Sequence, residues 1–194
     1  MATATFVSCD VIDSDRELVE RHRYGDRAAF EEVYSRFATM VYNLALRLGG
    51  DESEAADCTQ ETFLRVYRYL GGFRGKSSLK TWVFRVALNC CRSRYKRQAA
   101  RRRVVESRDA ESLERFADTV RDPEQSAMAS DVSERVRCAL LEVPVVFREA
   151  VILRDLQGLS YDEVASVLGI RIGTVRSRIA RGREQIRRIM EPDR

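Results

Sequence analysis

Proline is scarce in this chain. There are three in 194 residues, with only ten glycines, so few breakers interrupt it and long helices are expected in place of a hairpin-rich fold. Histidine occurs once, as His22, without companions at ligand spacing, which removes a zinc site, and no other metal or cofactor is expected. The five cysteines (Cys9, Cys58, Cys90, Cys91 and Cys138) are odd in number and contain no C-x-x-C. Cys90 and Cys91 are neighbours, a poor geometry for a structural bridge, so the cysteines read as reduced thiols of a cytoplasmic protein. No apolar run approaches the length of a membrane span, and no basic segment leads into an apolar stretch at the N-terminus. Neither membrane insertion nor a signal peptide is expected.

What is present is charge and apolar periodicity. Charged residues make up 33% of the chain and apolar residues 44%, enough for exposed helices around a core of one medium or two small domains. The net charge of +4 is modest, but its distribution is uneven. Arg and Lys crowd residues 92–103 and 171–188, while 51–61 is acidic. Two basic patches suit a polyanion, and the acidic one suits a basic protein partner.

Phe30, Val33, Tyr34, Phe37, Val41, Leu44, Ala45 and Leu48 recur at helical steps until Gly49-Gly50. A second helix is predicted from near Ser53 to Leu70. Its apolar stripe is Phe63, Val66, Tyr67 and Leu70, and a separate stripe carries Asp57, Gln60, Glu61 and Leu64. The loop Phe73-Arg74-Gly75-Lys76-Ser77-Ser78 follows, with either serine able to cap the next helix. That helix buries Leu79, Trp82, Val83, Val86 and Cys90 and shows Arg85, Asn89, Arg92 and Lys96 on another face. A glycine and serine loop feeding such a cationic, amide-bearing face fits nucleic-acid contact, with Trp82 read as core. Periodicity weakens over residues 98–130, which read as a linker with a short helix near Leu113 and Phe116.

Helical spacing returns with Val132, Val136, Leu140 and Val143. After Pro144 a helix is predicted to bury Val146, Ala150, Leu153 and Leu156, with Gly158 ending it. Ser160 and Glu163 make a capping box, Gly169 supplies a left-handed turn, and Gly173-Thr174 opens the last helix. Val175, Ile179, Gly182 and Ile186 form its inner stripe, and Arg176, Ser177, Ala180 and Arg181 face outward. This is a helix-turn-helix whose outer arginines can grip guanine in a major groove, while flanking Arg178 and Arg183 hold phosphates. The fold class is therefore all-α: two small helical domains, 13–97 and 131–190, joined by a flexible linker.

The segment GLSYDEVASVLGIRIGTVRSRIARGREQIRR resembles region 4 of extracytoplasmic-function (ECF) sigma factors. The segment DCTQETFLRVYRYLGGFRGKSSLKTWVFRVALN resembles their region 2. The resemblance covers about residues 15–97 and 130–189, and the pairing of G-T-V-R-S-R with D-x-x-Q-E-x-F makes it specific. It implies an ECF sigma factor that reads promoters for RNA polymerase. By resemblance, Asp57, Gln60, Glu61 and Leu64 dock on the β′ clamp helices of the core enzyme, and the second domain meets the β flap. Phe73, Arg74, Lys76 and Ser77 take a flipped base of the −10 element, which Arg85, Asn89 and Arg92 help to read. Arg171, Thr174, Arg176, Ser177, Arg178 and Arg181 contact the −35 element.

An anti-sigma factor is implied as a further partner. No domain beyond the minimal pair is expected. Lys76 departs from the acidic residue usual in that loop, and Arg171 from the proline or serine that often opens the last helix. An ordinary helix-turn-helix regulator would share the last third but need neither the D-x-x-Q-E-x-F stripe nor the loop and helix of residues 73–96. A nucleic-acid enzyme would need a nucleophile or a second acidic cluster facing Asp57 and Glu61, so no catalytic residue is assigned.

Overall fold

The computed structural model describes residues 9–49, 51–106 and 129–191, and among these every regular element is helical. Eight helices follow in order: α1 (Cys9–Arg23), α2 (Arg27–Gly49), α3 (Glu52–Tyr69), α4 (Leu79–Glu106), α5 (Ala129–Glu142), α6 (Val145–Val151), α7 (Tyr161–Leu168) and α8 (Ile172–Met190). The short helix expected near Leu113 and Phe116 lies outside the described residues, as does most of the linker.

The first half is a bundle built on α2. Ala29, Val33, Phe37, Val41, Leu44, Ala45 and Leu48 form one buried seam of that helix. The seam meets Ala55, Cys58, Phe63 and Val66 of α3 and Val83, Phe84, Ala87 and Leu88 of α4. Asp51 caps α3 by accepting from the Glu54 amide at 2.7 Å. The sequence reading ended the following helix near residue 97, but α4 runs on to Glu106. Arginine, alanine and glutamine at 97–103 are good helix formers even without an apolar stripe, so weak periodicity there did not mean an irregular chain. Tyr34 and Tyr67, placed in apolar stripes, are about half exposed.

The first helix went unread in the sequence. Leu18 and Val19 fix it to the core. Its buried Asp15 accepts from Arg36 of α2 at 2.9 Å and from the Leu79 amide that opens α4, also at 2.9 Å. Ser78 assists, accepting from the Thr81 amide at 3.2 Å. One carboxylate thus caps α4 from a helix 64 residues away in sequence.

In the second half, α6 widens into a π turn over Ile152–Leu156, with the Gln157 amide donating to Ile152 five residues back. A π turn shifts the helical frame. That is why Leu156, predicted to be buried, is 38% exposed; Val146, also predicted buried, lies exposed in the first turn of α6. The capping box forms as expected. The Glu163 amide donates to Ser160 at 3.2 Å and the Ser160 amide to Glu163 at 2.8 Å. Gly169 closes α7 at φ 68°, the left-handed conformation that a turn into α8 requires. A Cβ at Gly182 would stand 2.5 Å from a Val151 methyl, so glycine lets α8 lie against α6.

The two halves are in contact. α7 lies on α4, and α5 and α6 lie on α2. The Arg148 guanidinium of α6 donates to the Leu48 carbonyl at the end of α2 at 2.6 Å.

Candidate nucleic-acid interface

The last helix presents its outer face as the spacing predicts. Val175, Ile179 and Gly182 are buried, whereas Arg171, Thr174, Arg176, Ser177, Ala180 and Arg181 are exposed. Tyr161 lies beneath this face, with the Arg176 guanidinium 5.9 Å and that of Arg154 4.8 Å from its ring. Arg178 and Arg181 make no ion pair among the described residues and are available to an anionic ligand. Arg183 is not. It pairs with Asp155 (2.5 and 2.9 Å), which raises its pKa and commits it to packing α8 on the segment before α7, so its expected phosphate role is corrected. Arg171 stands at the N-cap, where a guanidinium has no acceptor to cap the helix, and its side chain is exposed.

The loop before α4 is held from below. Arg23 of α1 donates to the carbonyls of Gly71 (2.5 Å) and Phe73 (3.3 Å), and Gly75 turns the chain at φ 66°. Arg74 and Lys76 are exposed and Ser77 is half-buried. Phe73, expected to be offered to a flipped base, is only 8% exposed, and its ring stands 5.6 Å from that of Trp82. In this arrangement Phe73 is a core residue on which the loop is seated, and the displayed groups are cationic. Sequence reasoning could not separate these roles, because an aromatic beside a glycine fits either.

Arg85, Asn89 and Arg92 share one face of α4, as the spacing requires, but the second half partly covers Arg85 and Arg92 and leaves Asn89 exposed. The Arg92 guanidinium donates in two-pronged fashion to Glu149 of α6 (2.7 and 2.6 Å), and Glu149 is only 3% exposed. The carboxylate raises the Arg92 pKa. Arg85 donates to Ser166 of α7 at 2.6 Å, leaving its Nε buried without a partner. Lys80 donates to the Gln157 carbonyl at 3.1 Å and Thr81 to Glu163 at 3.3 Å. Between the halves remains a cleft of about 750 Å³ whose polar lining includes Arg85, Asn89, Arg92, Arg171 and Thr174. Residues read as contacts to two separate DNA elements therefore line one cleft.

The acidic stripe of α3 is also more occupied than its sequence suggested. Arg94 of α4 reaches Glu54 (2.8 Å), Asp57 (3.0 Å) and Glu61 (3.9 Å). Arg65 and Arg97 add contacts to Glu61 at 2.5 and 3.4 Å. The carboxylates hold the Arg94 pKa up, and the stripe is a network of both signs. Gln60 is exposed, and Leu64 is 63% exposed. Beside them Phe30, Tyr34, Phe63 and Tyr67 line an aromatic groove, with Tyr34 and Phe63 4.7 Å apart edge-on. Tyr34 and Tyr67 were missed as surface groups because helical spacing alone assigned them to the core. Among the described residues no cluster of His, Cys, Asp and Glu is arranged to hold a metal, and no helix is long and apolar enough to cross a membrane.

Comparison with known proteins follows the same division. The Sigma-70 region 2 family matches residues 33–101 and the Sigma-70 region 4 family residues 133–186. The RNA polymerase sigma-H factor of Pseudomonas aeruginosa is 34% identical over 184 residues, covering 93% of this chain and 95% of that protein. The ECF RNA polymerase sigma-E factor of Escherichia coli K12 is 34% identical over 184 residues, covering 92% and 95%. Among solved structures, CnrH in complex with the cytosolic domain of CnrY superposes with a TM-score of 0.68 at 25% identity, over 93% of this chain and 99% of that one. The sigma factor RpoE of Bartonella quintana, solved in complex with the anti-sigma factor NepR, gives 0.65 at 25% identity, over 85% and 98%.

Proposed function

Because this chain belongs to the ECF RNA polymerase sigma factors and acts as a transcription initiation factor, we propose that it docks on core RNA polymerase in the cytoplasm and reads promoter DNA at two places. Residues 13–97 form the domain that binds the core enzyme and opens the −10 element, 98–130 the linker, and 131–190 the domain that reads the −35 element. The observation that carries the reading is the exposed face of α8, where Arg176, Ser177 and Arg181 stand opposite a buried seam on a capped helix-turn-helix, flanked by the half-buried Arg178. That face enters the major groove, with Arg171 and Thr174 at the backbone.

Asp57, Gln60, Glu61 and Leu64 meet the β′ clamp helices. The exposed Leu64 and the adjoining aromatic groove supply apolar contact, and the carboxylates exchange Arg94 for cations of the partner. The second domain rests on the β flap. Arg74, Lys76 and Ser77 hold the opened strand, and Arg85, Asn89 and Arg92 read it once the halves part.

The contacts between the halves support a silent form in which Arg85 and Arg92 of the −10 surface are withheld while the outer face of α8 stays exposed. Since CnrH was solved with the cytosolic domain of CnrY and RpoE with the anti-sigma factor NepR, a small inhibitory protein that holds the halves together is the expected regulator. The test is transcription in vitro by core polymerase on genomic fragments with mapped start sites. Start sites sharing an upstream and a downstream element at fixed spacing support the reading, and failure to bind core enzyme without DNA overturns it.

A further inference from the structure

The first half holds a group that promoter reading does not use. Cys58 of α3 and Cys91 of α4 face one another in the core with their sulfurs 2.8 Å apart, and both are buried. The two are 33 residues apart in sequence, yet a shift of less than 1 Å would bring the sulfurs to the roughly 2.05 Å of a disulfide. We propose that Cys58 and Cys91 are a peroxide-reactive thiol pair that closes to a reversible disulfide across α3 and α4.

The pair is asymmetric. The hydrogen bond between the two sulfurs lowers the Cys58 pKa against the opposing effect of burial, with Thr62 and Arg94 adding to the fall. The same bond, with burial, pushes the Cys91 thiol up. Cys58 is therefore the nucleophile and Cys91 the resolving thiol. The Cys58 thiolate attacks one oxygen of hydrogen peroxide, the O–O bond breaks, and hydroxide leaves and takes up a proton to become water. The Cys58 sulfenic acid that forms is then attacked by Cys91, which gives up its proton as the S–O bond breaks and a second water departs. Two thiols and one peroxide thus become one disulfide and two waters.

Cys90, the adjacent residue in sequence, provides an internal control. It is buried as deeply, burial raises its pKa, and it makes no hydrogen bond to Cys58. Proximity in space, not buried cysteine in general, sets the reactivity. A cleft at the junction of the halves is lined by Glu54, Tyr95 and Arg148 but by neither thiol, so peroxide must enter through transient opening of this junction. Glu54 and Tyr95 lie one helical turn from Cys58 and Cys91 respectively, and the Tyr95 hydroxyl is tethered to the Ala45 carbonyl at 3.2 Å. The smallest peroxides can pass such a plug as the junction breathes, whereas bulky disulfide reagents cannot.

The bond would form inside one domain and join the helix of Asp57 and Glu61 to that of Asn89 and Arg92 without covering either set. Oxidation is therefore expected to protect the thiols from irreversible over-oxidation and to leave the protein competent for transcription.

The experiment treats the folded full-length protein with graded hydrogen peroxide, alkylates free thiols and maps the products by mass spectrometry. A loss of two mass units in the intact protein, a peptide joining Cys58 to Cys91, and full return of both thiols with dithiothreitol are expected. Cys90→Ser should form the same link at the same peroxide concentration. Cys58→Ser should form none, and Cys91→Ser should instead carry sulfinic acid at Cys58. Circular dichroism checks that each variant is folded, and Cys58→Ala with Cys91→Ala repeats the test with small apolar replacements. Links through Cys90 or Cys138, or no reaction at concentrations that oxidise the urea-unfolded chain, would overturn the proposal. So would loss of transcription on oxidation that is absent in the double variant.

Discussion

Replacing Glu149 by Gln keeps the shape of the side chain and removes one charge from the contact between the halves. The wild-type carboxylate is nearly sealed from solvent and takes two hydrogen bonds from Arg92, whose side chain is 37% exposed. Breaking a fully buried pair costs about 3–5 kcal/mol when it strands a charge. Here the surviving arginine reaches water, so screening brings the loss down to about 1–2 kcal/mol. Because 1.4 kcal/mol is about a factor of ten, the ratio of closed to open molecules should fall by roughly 5- to 30-fold. Within the second half the Glu149 side chain makes no other hydrogen bond among the described residues, so the helices themselves should hold. Small-angle scattering of the free protein should show a larger radius of gyration for Glu149→Gln. Fluorescence anisotropy with single-stranded DNA of the −10 element should show tighter binding, since Arg92 and Arg85 are then released. Arg92→Ala strands the buried Glu149 carboxylate and so opens the halves at least as far, but it removes a DNA contact, so the scattering should change without the gain in affinity. Wild-type dimensions and wild-type DNA affinity in Glu149→Gln would refute the idea that this pair holds the cleft shut.

Asp57→Ala combined with Glu61→Ala should keep the helical circular dichroism, because exposed ion pairs contribute about 0–1 kcal/mol each, while binding to core polymerase measured by gel filtration or pull-down weakens at least about tenfold. Arg181→Ala should cost roughly 1–3 kcal/mol and relax preference at one upstream base pair if the side chain reads guanine; a promoter library transcribed by both holoenzymes checks this, and a uniform loss across sequences would assign Arg181 to phosphate. Gly182→Ala drives a methyl group against Val151 and should lower stability by about 1–3 kcal/mol, seen as a lower melting temperature. Replacing Ser160 by Ala removes one side of the capping box and should cost about 1 kcal/mol in the same measurement.

Local signals were the legible ones. The capping box at Ser160, the left-handed Gly169 and the division of faces on α8 depend on residues within a few positions of each other, and each could be read from spacing. What spacing could not show was the placement of charge across long loops. Arg94 looked like one cation of a basic run, and only the packing of α4 on α3 turns it toward Glu54, Asp57 and Glu61. Likewise Arg92 finds a carboxylate 57 residues away and Asp15 an amide 64 residues away. The π turn at Ile152–Leu156 defeated a strictly α-helical count, and Phe73 defeated composition, because burial of one aromatic depends on where α1 and Trp82 lie.

Asp15 has a consequence for how the chain is made. Its carboxylate is synthesised 64 residues before the Leu79 amide it receives. At translation rates of about 5–20 residues per second, roughly 3–13 s separate the two. During that interval the acid that will close the top of α4 is a solvated charge on an unfinished bundle. The first helix to be made thus carries the cap of the fourth, so the start of α4 gains this cap only after α1, α2 and α3 have all been synthesised.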